Sequence, residues 1–242
     1  MIVLYTDFGL EGPYIGQIHA VLAWVAPGVP VINLMADAPA CEPQLAGYLL
    51  NALVDRFPAG TTFLCVVDPG VGTDRVPLMA HADDRWYVGP DNGLLNPLLL
   101  AATQVETFRI DWHPPGLSAS FHGRDLFAPV AARLARGEMP EASPYDIPGL
   151  SRAAWPEDLA RIIYVDHFGN AMTGLRCCAM RPTSRLRIAG RELAWRRVFG
   201  EAAVGEAFWY CNANGLVEIA VNRGRADHCL GIGLGDQLEV VD

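Results

Sequence analysis

Over residues 2–135, short β-rich runs alternate with stretches of helical period, which limits this part of the chain to a sheet with helices on its faces. IVLYTDF (2–8) and VPVINL (29–34) predict strands, and GTTFLCVVD (60–68) predicts a buried one. Between the first two, Ile15, Ile18, Val21, Leu22 and Val25 recur at helical spacing. EPQLAGYLLNALVDRF (42–57) opens with an acid and a proline, as helices often do. Two β runs around Ala82-Asp83-Asp84 predict a hairpin, and NGLLNPLLLAA (92–102) predicts a helix that breaks at Pro97 or starts beside it. VETFRI (105–110) reads as a strand, and residues 123–137 as a helix with Pro129 near its first turns and Gly137 at its end. Strand–helix alternation predicts an α/β domain with a mostly parallel sheet.

Residues 137–160 carry four prolines and no sustained period, and read as a connector. Beyond them the pattern becomes all-β: RIIYVDHFGN, SRLRIAG, RELAWRRV, AFWYCNANG, LVEIAVN and GDQLEVV are short runs separated by Gly, Asn and Pro. We therefore expect an N-terminal α/β domain over 1–150 and a smaller, barrel-like β domain over 151–242.

The net charge of −9, from 18 basic and 27 acidic residues, comes without a basic stripe, which argues against nucleic acid or an anionic membrane as partner. No apolar run approaches a membrane span and the start lacks a signal-peptide pattern, so the expectation is a cytoplasmic protein. Six cysteines (Cys41, Cys65, Cys177, Cys178, Cys211, Cys229) include no C-x-x-C pair, and read as buried or incidental thiols. No His/Cys cluster has the spacing of a zinc site, so no metal is expected.

In an open parallel sheet, ligands bind beyond the carboxyl ends of the strands. Asp7 in LYTDFG and Asp68 in CVVDPG stand at two such ends, where each can form a turn or cap, or face a ligand. The glycines of DPGVGT lack the spacing and the lysine of a phosphate loop. In FHGRDLFAP (121–129), His122 precedes a predicted helix; it is either a loop residue or an imidazole presented to a cleft, and Arg124 and Asp125 read as surface charges. GPDN (89–92) reads as a turn, and Asn170 in VDHFGN either stabilises a turn or reads a base edge. No G-x-S-x-G occurs.

Taken in order, TDFG (6–9), VVDPGVGT-x-R (66–75), Y-x-GPDNG (87–93), FHGRD-x-FAPVAA (121–132), D-x-FGN (166–170) and LVEIAVN (216–222) resemble the S-adenosylmethionine (SAM) hydroxide adenosyltransferases, relatives of the SAM-dependent halogenases. The resemblance implies hydrolysis of SAM to adenosine and L-methionine without a cofactor, in a homotrimer whose sites lie between subunits. It places catalysis on Asp68, Arg75 and His122, and the ribose hydroxyls on Asp7. It implies adenine and methionine contacts from Asn170 and the segment Asn212 to Arg223, including Ala213 and Val221, with Asp166 near the methionine amino group. Halogenating relatives lack an acid at the Asp68 position, and a carboxylate there repels halide, which favours water as nucleophile. A SAM- or adenosine-binding sensor with little turnover is the alternative. The chain departs from the family pattern at Gly12, where an acid is common, at His19-Ala20, where Lys-Gly is common, and at Ala213, where relatives use serine.

Overall fold

The computed structural model describes residues 1–241, which divide into two compact units, residues 1–50 with 54–155, and residues 51–53 with 156–241. The first unit runs β1 (Ile2–Thr6), α1 (Tyr14–Val25), β2 (Val31–Met35), α2 (Pro43–Leu53), β3 (Thr62–Val66), β4 (Pro77–Ala82), β5 (Arg85–Pro90), α3 (Asn96–Ala101), β6 (Val105–Ile110), a π-helical turn (Gly123–Phe127) leading into α4 (Ala128–Ala135), and β7 (Ala142–Pro144). Pro97 sits in the first turn of α3, where its missing N–H costs nothing.

The sheet order is β2-β1-β3-β5-β4-β6-β7. The pairings β2–β1, β1–β3 and β3–β5 are parallel and the other three antiparallel, so the sheet is mixed, with its parallel half at the amino-terminal end of the chain. The β4–β5 hairpin turns through Asp83 and Asp84, both at positive φ, the twist that two-residue hairpins favour.

β1 and β3 are wholly buried because both faces of the sheet are covered. On one face Ile2, Leu4, Leu64 and Val66 pack with Ile18 and Leu22 of α1 and the small apolar face of α4. Side chains alternate along a strand, so Tyr5 points the other way, and its hydroxyl donates to the Ala46 carbonyl of α2 at 2.8 Å.

Residues 142–144 correct the reading of 137–160 as a connector, since β7 pairs with β6 at the sheet edge. Three residues ending in proline carry no periodicity of their own, and only the partner strand defines them.

The second unit contains β8 (Leu159–Val165), β9 (Ala171–Arg176), β10 (Arg185–Ile188), β11 (Arg191–Trp195), β12 (Ala207–Cys211), β13 (Leu216–Val221), α5 (Ala226–Leu230) and β14 (Glu239–Val241). Its sheet order is β14-β10-β11-β12-β13-β9-β8, antiparallel except at β11–β12. The two ends of that order meet: Arg161 bridges Gln237, Ile162 N–H donates to the Asp236 carbonyl at 2.9 Å, and Gly235 N–H donates to Ile162 at 2.8 Å. The sheet thus curls into a half-barrel around Trp209, Ile162, Leu186, Val217 and Ile219.

Cys177 and Cys211 form a disulfide with their Cα atoms 5.7 Å apart, correcting the reading of all six cysteines as thiols. They follow β9 and close β12, the two neighbours of β13, so the bridge spans that strand's amino-terminal end. Cys65 is buried, as its strand position predicted, while Cys41, Cys178 and Cys229 are exposed free thiols.

Candidate active site

Strand register places the first two acids. Thr6 pairs with Val66 in the β1–β3 ladder, so both strands end level and release Asp7 and Asp68 at the same carboxyl edge. Past Asp68 the chain turns through Val71 N–H to Asp68 C=O (3.2 Å) and Thr73 N–H to Gly70 C=O (3.1 Å). Gly72, at φ +79°, lies where a Cβ would collide with the Ala119 carbonyl oxygen, so this turn seats directly on the segment leading to His122.

The turn returns Arg75 onto Asp68. Arg75 Nη2 donates to Asp68 Oδ2 at 2.6 Å, and Nε donates to Oδ2 and Oδ1 at 3.0 and 3.1 Å. The side chains are only 9% and 5% exposed, and the guanidinium carbon lies 5.1 Å from the centre of the buried Phe127 ring. A buried carboxylate is stabilised here by a fork of charge-assisted hydrogen bonds against an aromatic face.

His122 completes the group, with Nδ1 2.8 Å from Arg75 Nη2. A guanidinium can only donate, so Nδ1 accepts and the proton of the neutral ring is assigned to Nε2. Burial and the adjacent Arg75 charge lower the His122 pKa below its usual value, which reinforces the neutral state. Asp68, His122 and Asp7 line one cavity of about 90 Å³ with Phe8, Cys41 and Phe121. Asp7 accepts from the Cys41 N–H at 3.0 Å, and burial raises its pKa above the ordinary carboxylate value despite that bond.

In the second unit a separate cavity of about 690 Å³ is lined by Asp166, Phe168, Asn170, Tyr210, Glu218, Val221, Arg223 and their neighbours. Asp166 Oδ1 accepts from Asn170 N–H at 2.8 Å and Oδ2 from Asn170 Nδ2 at 3.1 Å, so Asn170 does stabilise its turn while facing the cavity. Phe168 is 70% exposed. Arg223 holds φ +56°, unusual for a residue with a Cβ, in the turn that follows β13. Asn212 and Ala213 lie in the β12–β13 turn and not on the cavity wall. Asn212 Oδ1 accepts from Asn214 and Leu216 N–H, while its Nδ2 donates to Glu218 Oε2 at 2.8 Å.

The SAM hydroxide adenosyltransferase N-terminal domain matches residues 2–143, and the C-terminal domain of the same family matches residues 160–239. The chain belongs to the SAM hydroxide adenosyltransferase family. It is similar to the (R)-S-adenosyl-L-methionine hydrolase of Thermus thermophilus, 38% identical over 94% of both chains. The hydrolase of the same name from Salinispora tropica is 37% identical over 97% of this chain and 95% of that one. In structure the chain is similar to an uncharacterized conserved protein from Thermotoga maritima, with a TM-score of 0.86, 29% identity and full coverage of both chains.

This adenosyltransferase family member also holds residues around its candidate site that the sequence reading treated as plain surface or turn. Arg124 and Asp125 are a partly buried ion pair, not simple surface charges. Arg124 Nη1 donates to Gln17 of α1 at 2.7 Å, and Asp125 accepts from Ser118 N–H at 3.0 Å, which fastens the loop before His122. Asn92 of the GPDN turn donates to the Val67 carbonyl at 2.8 Å and so braces the residue before Asp68. Glu218 passed unnoticed because an acid inside LVEIAVN reads as one outward position of an alternating strand. Every residue of β13 is buried, and that acid within an uninterrupted apolar run was the available signal.

Proposed function

We propose that this chain hydrolyses SAM to adenosine and L-methionine, carrying to it the activity named for its relatives. The observation that carries the reading is the buried Asp68–Arg75 pair backed by His122, with Asp68 and His122 lining a cavity that also holds Asp7. A space of about 90 Å³ accommodates several waters, each needing roughly 10–15 Å³ on this measure. One water, held by Asp68, attacks C5′ in line with the departing sulfur. The new C5′–O bond forms as the C5′–S bond breaks, and that electron pair neutralises the sulfonium to the thioether of methionine. The attacking oxygen becomes positive as it bonds, and its proton passes to Asp68, through which it reaches solvent.

Arg75 fixes the orientation of the carboxylate, and the paired charges cancel, so the guanidinium does not oppose the sulfonium. Neutral His122 holds Arg75 from the other side through Nδ1. Asp7 takes the ribose hydroxyls, Asp166 the methionine amino group, and Asn170 with the segment Asn212 to Arg223 the adenine and the methionine end. In this reading the protein's own side chains suffice and no cofactor is required. The two cavities lie in separate units, which fits a homotrimer that joins the first unit of one subunit to the second unit of its neighbour. Trp24 of α1, 85% exposed, is a candidate for burial in that assembly.

Purified protein given (R)- and (S)-SAM in separate incubations should release adenosine, followed by chromatography. The relatives' names point to the (R) sulfonium epimer as the faster substrate. Asp68→Ala should lower turnover roughly 10²- to 10⁴-fold, the range of a lost general base, while adenosine still binds. Tight adenosine binding without turnover would turn the reading to a binding module, and 5′-chloroadenosine formed from added chloride would turn it to halide transfer.

A further inference from the structure

Glu218 is an acid with 2% of its surface exposed, on the wall of the 690 Å³ cavity, and among the described residues it has no cationic partner. Its two hydrogen bonds come from neutral donors: the Tyr210 hydroxyl to Oε1, and Asn212 Nδ2 to Oε2 at 2.8 Å. Asp166 on the same wall is hydrogen-bonded by the backbone and side-chain amides of Asn170, and Arg225 is near enough to feel its charge. Of the two arginines lining this cavity, Arg225 is bound to Asp227 at 2.8 Å and to the His167 carbonyl at 2.7 Å, and Arg223 bonds neither acid. Burying a carboxylate is costly unless positive charge compensates it, and among the described residues none is supplied to Glu218. Burial raises the Glu218 pKa above its ordinary value, the bonds from Tyr210 and Asn212 work against that shift, and the nearby Asp166 adds to it, so a cation placed beside the two acids would favour the ionised form.

Resting on the SAM reading above, in which Asp166 takes the methionine amino group, we infer that Glu218 is a further specificity-determining residue that favours ligands bearing that ammonium group. The missing counter-charge is the α-ammonium of the amino-acid portion. Asp166 meets it at the cavity surface, and Glu218 acts from within the wall, where low dielectric lengthens the reach of its charge. The cavity then distinguishes adenosyl amino acids from nucleosides, and it releases adenosine readily because that product brings no cation. Tyr210 and Asn212 hold the two carboxylate oxygens in place, which explains why the Asn212 side chain is committed to Glu218.

Three ligands separate the alternatives: adenosine carries no cation, S-adenosylhomocysteine carries the ammonium alone, and SAM carries ammonium and sulfonium. Titration calorimetry would use the otherwise intact protein with Asp68→Asn added to suppress turnover. Glu218→Gln keeps the side chain's shape, and its folding is checked by thermal melting. It should weaken SAM and S-adenosylhomocysteine by a similar factor, roughly ten- to a hundredfold as for a lost hydrogen bond or contact to a charged group, and leave adenosine unchanged. Glu218→Met, uncharged and close in volume, should give the same pattern, so the inference remains testable if Glu218→Gln does not fold. Equal weakening of all three ligands, loss for SAM alone, or no change would each overturn it. If the unmodified protein binds the three ligands but releases no adenosine from SAM, the hydrolase reading fails while the ammonium pattern is still decided by the titrations.

Discussion

The two cavities solve the problem of a buried carboxylate in opposite ways. In the first unit Asp68 carries its own counter-charge, Arg75, only seven residues along the chain, and His122 holds that arginine in turn. In the second unit Glu218 is held by a phenol and an amide that bring no charge. A charge cancelled within the protein is preorganised for chemistry, because nothing must move when a water meets it. A charge left open is suited to recognition, because a cationic ligand gains what the fold withholds.

Removing Arg75 is the most direct way to make the first unit resemble the second. Arg75→Met leaves Asp68 buried without a cation and should destabilise the protein by about 3–5 kcal/mol, measured by urea titration. Adding Asp68→Asn to that variant should recover much of the loss, and no recovery would show that the pair is not coupled. The second unit depends instead on a covalent link. Reducing Cys177–Cys211, which closes a loop of sequence separation 34, should lower stability by roughly 2–4 kcal/mol. Calorimetry should place that change in one unfolding transition, and a uniform shift of every transition would contradict the separateness of the units.

The smallest effect concerns protons. The His122 pKa is lowered, so the neutral ring persists to pH values below its usual 6.5. As pH falls through the lowered value, Nδ1 gains a proton, ceases to accept from Arg75, and sets two cations side by side. Turnover should then decline about tenfold per pH unit, the slope of one required deprotonated group. In His122→Gln that acid limb should flatten, and an unchanged limb would assign it to another residue.

Much of this was legible in the sequence where information is local. The alternating strands and helices of the first unit and the hairpin at Asp83-Asp84 each depend on residues within one short stretch, whereas Arg75 came to Asp68 only through the family resemblance, because local rules leave an acid before a glycine turn open between turn former and ligand. His122 was visible as a candidate, but its bond to Arg75 spans 47 positions and exists only once α4 packs on the sheet. α5, five residues long, is too short to display a helical period. β9 went unread because its buried face carries Thr173 and its other face Met172 and Gly174, so AMTGLR shows no apolar–polar alternation. The disulfide was hidden because Cys177 and Cys211 meet only after β13 has inserted between β9 and β12. Of the departures from the family pattern, Gly12 has a physical account: at φ +98°, an acid with a Cβ would be strained there.

The curl of the second sheet bears on how the protein behaves when crowded. A strand at the rim of an open sheet offers unpaired N–H and C=O groups to any passing chain, the usual starting point for edge-to-edge aggregation. Here β8 shares main-chain bonds with the residues just before β14, so part of each rim is already occupied by the other. This strand-rich unit, whose acidic and basic residues nearly balance, therefore presents little free template for intermolecular pairing, and that protection follows from topology rather than from charge.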